Sequence, residues 1–218
     1  MEPYEFECKW IDKNDLWKTA DEIRSIYWPE GILPVDTEKI VELRLKLDIE
    51  PKHNLFSTVD MDAYLKTDLT GIVVDHDFYI NEKFANRMRF SFAHELGHYF
   101  LHKDYYSRID FVSAKDWKYF IINIPENEYR NFEWQANEFA GRLLVPHAEL
   151  VSEVEKVIKI IKSNNLTEFL KNDSDAVLSR VSPTLCKAFG ISTDVIEKRV
   201  KREGLWPPNT NTLNPSSL

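Results

Sequence analysis

Within Arg89-Phe90-Ser91-Phe92-Ala93-His94-Glu95-Leu96-Gly97-His98-Tyr99-Phe100-Leu101-His102, two histidines stand four apart with a glutamate directly after the first. On an α-helix, residues i and i+4 lie about 40° apart around the axis and about 6 Å along it. Imidazoles placed that way can converge on one divalent ion at a Zn–N distance of about 2.0–2.1 Å. Glu95 points off the same face. It is badly placed to join the ligands but can reach water at the ion, which is the geometry of a general base in metal-assisted hydrolysis. The rest of the run is strongly apolar, and titratable groups are costly in such a helix unless they have a task.

A catalytic zinc site takes three protein ligands and keeps one position open. His102 continues the i, i+4 series, but it lies about 12 Å along the axis from His94 and is rotated by about 80°. It therefore reads as a helix-end or packing residue. The better candidate is Glu133, in Glu133-Trp134-Gln135-Ala136-Asn137-Glu138-Phe139-Ala140-Gly141. Glu133 and Asn137 share a helix face, and Ala136, Ala140 and Gly141 nearby let that helix come close to the first, where Ala93 and Gly97 are also small. Glu138 and Glu128 are the competing carboxylates, on faces that do not coincide with the small-residue stripe. Asn137, one turn after Glu133, can orient a histidine ligand through its other ring nitrogen. A second donor for the oxyanion has six unranked candidates: Tyr105, Tyr106, Tyr119, Tyr129, Arg130 and His147. His53 and His76 sit in polar contexts and read as surface residues.

The elements that must position these groups follow from spacing and breakers. Asn14 to Trp28 reads as a helix ended by Pro29 and Gly31, and Asp36 as the N-cap of a second. Pro51 reads as a stop, and residues 55–65 as strand-rich. Gly71 to Asn81 reads as two short strands around a polar turn. Long helices are predicted from Lys83 to His102 and from Glu128 to Leu144, with a strand over Tyr119 to Ile124 between them. Beyond Pro146 the pattern is helical. Ser182-Pro183 is read as a helix start and Ser192-Thr193 as a second cap, giving two helices around a turn at Ala188-Phe189-Gly190-Ile191. The expected organisation is a catalytic domain over 1–147, a helical extension over 148–205 packed on it, and a loose tail over 206–218.

The chain has 218 residues, a net charge of −8 and two cysteines, Cys8 and Cys186. The acidic balance argues against a nucleic-acid coat or a polybasic membrane binder. Two cysteines exclude a disulfide scaffold and a four-cysteine zinc site. No apolar run is long enough for a membrane span, and Met1 to Glu7 lacks a basic stretch followed by an apolar one. The expectation is a cytoplasmic protein with no membrane partner. Lys198, Arg199, Lys201 and Arg202 near the C-terminus are offset by Asp194, Glu197 and Glu203, so direct DNA binding is not expected.

The helix Arg89 to His102 resembles that of the ImmA/IrrE family of zinc metallopeptidases. So does Glu133-x-x-Ala136-Asn137-x-Phe139-Ala140 leading into Leu143-Leu144-Val145-Pro146, as do Tyr79-Ile80-Asn81 and the later Phe189-Gly190-Ile191-Ser192, Arg199-Val200 and Gly204-Leu205. The resemblance implies an α+β, zincin-like domain with a small sheet and a central His-Glu-x-x-His helix, followed by a helical C-terminal element resembling a helix-turn-helix. It implies Zn2+ as cofactor, His94, His98 and Glu133 as its ligands, and Glu95 as catalytic base. It further implies cleavage of a helix-turn-helix repressor, which is then the expected substrate or partner. A non-catalytic regulator or toxin–antitoxin component that acts by binding is the alternative. The chain departs from the family in holding Gln135 where an acidic residue is common, and in a long connection between His98 and Glu133.

Overall fold

The computed structural model describes residues 2–109 and 113–208. The chain divides into two compact units, Met1–Leu143 and Leu144–Leu218. The first unit contains α1 (Lys13–Tyr27), α2 (Thr37–Lys39) continuing into a π-helical turn at Ile40–Arg44, β1 (Asp48–Lys52), α3 (Leu55–Val59), β2 (Ala63–Leu65), β3 (Gly71–Asp75), α4 (His76–Tyr79), α5 (Ala85–Leu101), α6 (Lys103–Tyr106), α7 (Ala114–Asn123) and α8 (Glu126–Leu144), whose last residue opens the second unit. The second unit goes on with α9 (His147–Ser163), α10 (Thr167–Asn172), α11 (Ser174–Phe189) and α12 (Thr193–Arg202). The architecture is mixed α+β, mostly helical with one small sheet. Among the described residues, no helix is long and apolar enough to cross a membrane.

The sheet has the order β1-β3-β2. Strand β3 is buried along its whole length, which explains its uninterrupted apolar run Ile72-Val73-Val74. It pairs in parallel with β1, from Asp48 opposite Gly71 to Lys52 opposite Asp75, and antiparallel with β2, Ala63 opposite Val74 and Leu65 opposite Ile72. A Cβ on Gly71 would stand 2.6 Å from the Asp48 carbonyl oxygen, so this crossing of backbones requires glycine.

Four expectations about local structure in the first unit are corrected. Residues 76–79 form a helix rather than a second strand, because Asp75 caps it: its Oδ1 accepts from the Asp77 and Phe78 amides at 3.0 and 3.1 Å. Its Oδ2 accepts from the Phe56 amide at 2.9 Å, so the same buried carboxylate also holds the first turn of α3, and residues 55–59 are helical rather than strand. Pro51 does not stop a strand but lies within β1, an edge strand, where its missing N–H costs little. The apolar run expected as a strand over 119–124 belongs to helix α7. Ser113 caps it through the Asp116 amide at 3.3 Å, and burial recurs at helical spacing at Trp117 and Phe120 while Tyr119 and Ile122 are exposed.

In the second unit Pro183 lies inside α11 rather than at its start. It removes the N–H that would bond the Ser179 carbonyl, and the Ser182 hydroxyl donates to that carbonyl instead at 3.2 Å. The turn after α11 is where it was expected, with Gly190 at φ +58° in the left-handed region and Ser192 capping α12 through the Val195 amide. Trp206, at the start of the expected loose tail, is buried and donates to the Ser174 carbonyl at 2.9 Å. Residues 209–218 of that tail lie outside the described residues.

Helices α5 and α8 meet at their small residues. A Cβ on Gly97 would come within 3.0 Å of both Cα and O of Ala136. Gly97→Ala is therefore expected to lower stability by about 1–3 kcal/mol through overpacking, measured by chemical denaturation of the metal-free chain. An unchanged unfolding midpoint would refute the contact.

Candidate metal centre

Helix α5 presents Arg87, Ser91, His94, Glu95 and His98 along one face, and these line a cavity of about 510 Å³. Helix α8 supplies Tyr129 and Glu133 to the same cavity, α7 supplies Trp117 and Ile121, and the segment entering β2 supplies Met61, Asp62 and Ala63. The wall from α7 is not legible in the sequence, where residues 119–124 read as a strand. The face of α5 was legible from its i, i+4 spacing.

His94, His98 and Glu133 converge. The two Nε2 atoms are 3.0 Å apart. Glu133 Oε2 is 3.2 Å from Nε2 of His94, and its Oε1 is 3.5 Å from Nε2 of His98. Donors about 2.0–2.1 Å from a tetrahedral zinc ion stand ~3.3 Å from one another. Two imidazoles and one carboxylate thus already hold the edge lengths such an ion demands, and the donor set fits. The competing carboxylates are engaged elsewhere: Glu138 accepts from the Trp17 indole N–H at 3.0 Å, and Glu128 from the Cys8 amide at 2.7 Å.

The two glutamates at the cavity are driven in opposite directions. Burial pushes Glu133 up, but His94 and His98 outweigh it and hold its carboxyl well below the usual range. Burial raises Glu95, and His94 and His98 only partly pull it back. Glu95 is fixed from the sheet side, where its Oε2 accepts the Leu65 amide of β2 at 2.7 Å. Burial opposes charge on His94, yet the Glu133 carboxylate raises its imidazole to about 9.

Around the donors lie further polar groups. Asn137 Oδ1 is 3.2 Å from His94 Nδ1. His102 ends α5 and is buried, as expected of a packing residue, but its Nδ1 is also 2.9 Å from Nδ1 of His98. Burial and the adjacent His98 lower its pKa to about 3, so it is neutral. Gln135 turns away from the cavity and meets His102. Of the six candidates for a second donor, Tyr129 lines the cavity. Burial and the two glutamates raise its phenol far above the usual value, so it keeps its proton. Tyr105 is committed to the Lys9 amide at 2.6 Å, and Tyr119 is exposed. His53, His76 and Asp77 form a second group of possible metal donors, at the adjoining ends of β1 and β3. His53 is exposed, as expected of a surface residue, and His76 is half-buried, with Asp77 exposed beside them.

Residues 78–201, more than half of the chain, match the family model of peptidase M78, described as the IrrE N-terminal-like domain. No curated protein and no solved structure matches.

Because Glu133 keeps the His94 imidazole protonated near neutrality, loading a cation must expel that proton. Titration with Zn2+ at pH 7, in buffers of different ionisation enthalpy, is expected to show about one proton released per ion. The apparent affinity should fall as pH drops below about 9. In Glu133→Gln both the tight binding and the proton release should be lost; tight binding in that variant would exclude Glu133 as a ligand.

Proposed function

The chain belongs to the ImmA/IrrE family of peptidases, and from that premise we propose that it is a zinc-dependent endopeptidase, with a zincin-like catalytic unit, that hydrolyses a peptide bond in a helix-turn-helix repressor in the cytoplasm. The observation that carries this reading is the set of three donors at tetrahedral-edge spacing with a raised, buried carboxylate beside them. A Zn2+ ion held by His94, His98 and Glu133 would supply Lewis acidity, lowering the pKa of water toward 7 and polarising the scissile carbonyl.

The chain's own residues do the rest. Glu95, held by the Leu65 amide, takes a proton from the attacking water and returns it to the leaving nitrogen. Its raised pKa suits both halves of that task. Tyr129, one helical turn before Glu133 and protonated, donates to the developing oxyanion. An extended substrate lies along the cavity beside β2. Strand β3 is paired on both sides and has no free edge to offer a substrate. The substrate class rests on the family resemblance. The cations of α12 weigh against DNA as the partner, because they are engaged within the chain: Lys198 pairs with Asp194 at 2.8 Å, Lys201 with Asp175 at 2.8 Å, and the buried Arg199 with Glu203.

Co-incubation with a repressor encoded beside the gene is expected to yield two fragments. Glu95→Gln should retain Zn2+ and lose cleavage, whereas retained cleavage would remove Glu95 from the mechanism. A stable complex without fragments from the parent chain would favour the binding alternative. Tyr129→Phe is expected to lower kcat by about 10²-fold with little change in KM; an unchanged kcat would dismiss it as the donor.

A further inference from the structure

A line of polar groups runs from His98 away from the cavity to the N-terminal segment. His98 Nδ1 is 2.9 Å from His102 Nδ1, and His102 Nε2 is 3.1 Å from Gln135 Oε1. Gln135 Nε2 donates to the Lys9 carbonyl at 2.9 Å, with Cys8 Sγ 3.5 Å away. His98, His102 and Gln135 are all at most 2% exposed. Both imidazoles stack on Phe132, with centroids 4.3 and 4.1 Å from its ring. Packing thus sets their planes and hydrogen bonds set their rotation.

The proton positions along this line follow from its far end. A backbone carbonyl only accepts, so Lys9 takes an N–H of the Gln135 amide, which turns Oε1 toward His102. That oxygen also only accepts, so His102 carries its proton on Nε2. His102 is 1% exposed and its two ring nitrogens meet an imidazole and an amide, not a carboxylate, so burial keeps it neutral; with its proton on Nε2 its Nδ1 is bare, and the single proton between the two rings belongs to His98 Nδ1. His98 is then left with its lone pair on Nε2, the atom facing His94 and Glu133.

We propose that His102 and Gln135 are positioning residues that relay the polarity of the Lys9 carbonyl to His98 and fix it in the Nδ1–H tautomer, with Nε2 free for the cation. His94 is served by a shorter version of the same device. Asn137 donates to the Glu133 carbonyl at 2.8 Å, which turns its Oδ1 to His94 Nδ1. A helix end packed only for stability has no need of a buried imidazole and amide, which are expensive unless fully satisfied. The purpose of the relay rests on the metallopeptidase reading, but the tautomer itself does not.

Long-range 1H–15N correlation spectra of the metal-free full chain should show His98 as the Nδ1–H tautomer and His102 as the Nε2–H tautomer. His98 protonated on Nε2, or a mixture of the two, would overturn the relay. His102→Phe keeps a ring against Phe132, and Gln135→Leu removes the acceptor. Each is expected to weaken Zn2+ binding about 10–100-fold in chelator competition. Combining His102→Phe with Gln135→Leu leaves only His98 Nδ1 and the Lys9 carbonyl without partners, no more groups than either single change orphans, so the losses in melting temperature should not add while the Zn2+ affinity stays lowered. A Zn2+ affinity that merely tracks the melting temperature across the three variants would mean a merely structural role. If the parent bound no Zn2+, the metallopeptidase reading would fall, and the spectra alone would decide the relay.

Discussion

The close crossing of α5 and α8 is the constraint from which the rest follows. With Gly97 set against Ala136, the two backbones approach closely enough for a glutamate on one helix to reach histidines on the other. A carboxylate side chain is short, so a larger residue at either position would open the gap between donors. The small residues therefore set the spacing of the three donors although none of their own atoms is among them.

Bringing these groups together in a buried place costs desolvation, which is offset in two ways. Mutual attraction between His94 and Glu133 keeps both charged in the metal-free chain. The outward nitrogens of both histidines are satisfied by neutral partners, Asn137 and His102. The two carboxylates of the cavity then separate in role. Glu133 is flanked by imidazoles and stays ionised, while Glu95 is dominated by burial and can hold a proton. Divergence of this kind between neighbouring acids is how one site provides both a ligand and a proton carrier.

The sheet contributes less core than orientation. Asp75, at the end of β3, caps α3 and α4 together, and β2 spends its Leu65 amide on Glu95. Thus Glu95 is held by an edge strand whose own place depends on the pairing of β3. Gln135, a departure from the family pattern, is not a defect of the cavity, because it faces His102 and the N-terminal segment instead.

The sequence by itself determined the long helices, the histidine pair, the glutamate between them and the choice of Glu133 over its rivals. Each of these is a matter of period 3.6 and of residue size along one face, which local spacing encodes. It misread the segments 55–59, 76–79 and 119–124, where apolar and β-branched residues suit either state. There the decision fell to capping groups, two of them supplied by Asp75, which is distant in sequence from α3. Tertiary structure alone decided which tyrosine faces the cavity and that His102, Gln135 and Lys9 form one line. Those relations join residues about 30 to 130 positions apart, and no periodicity within a single element can express them.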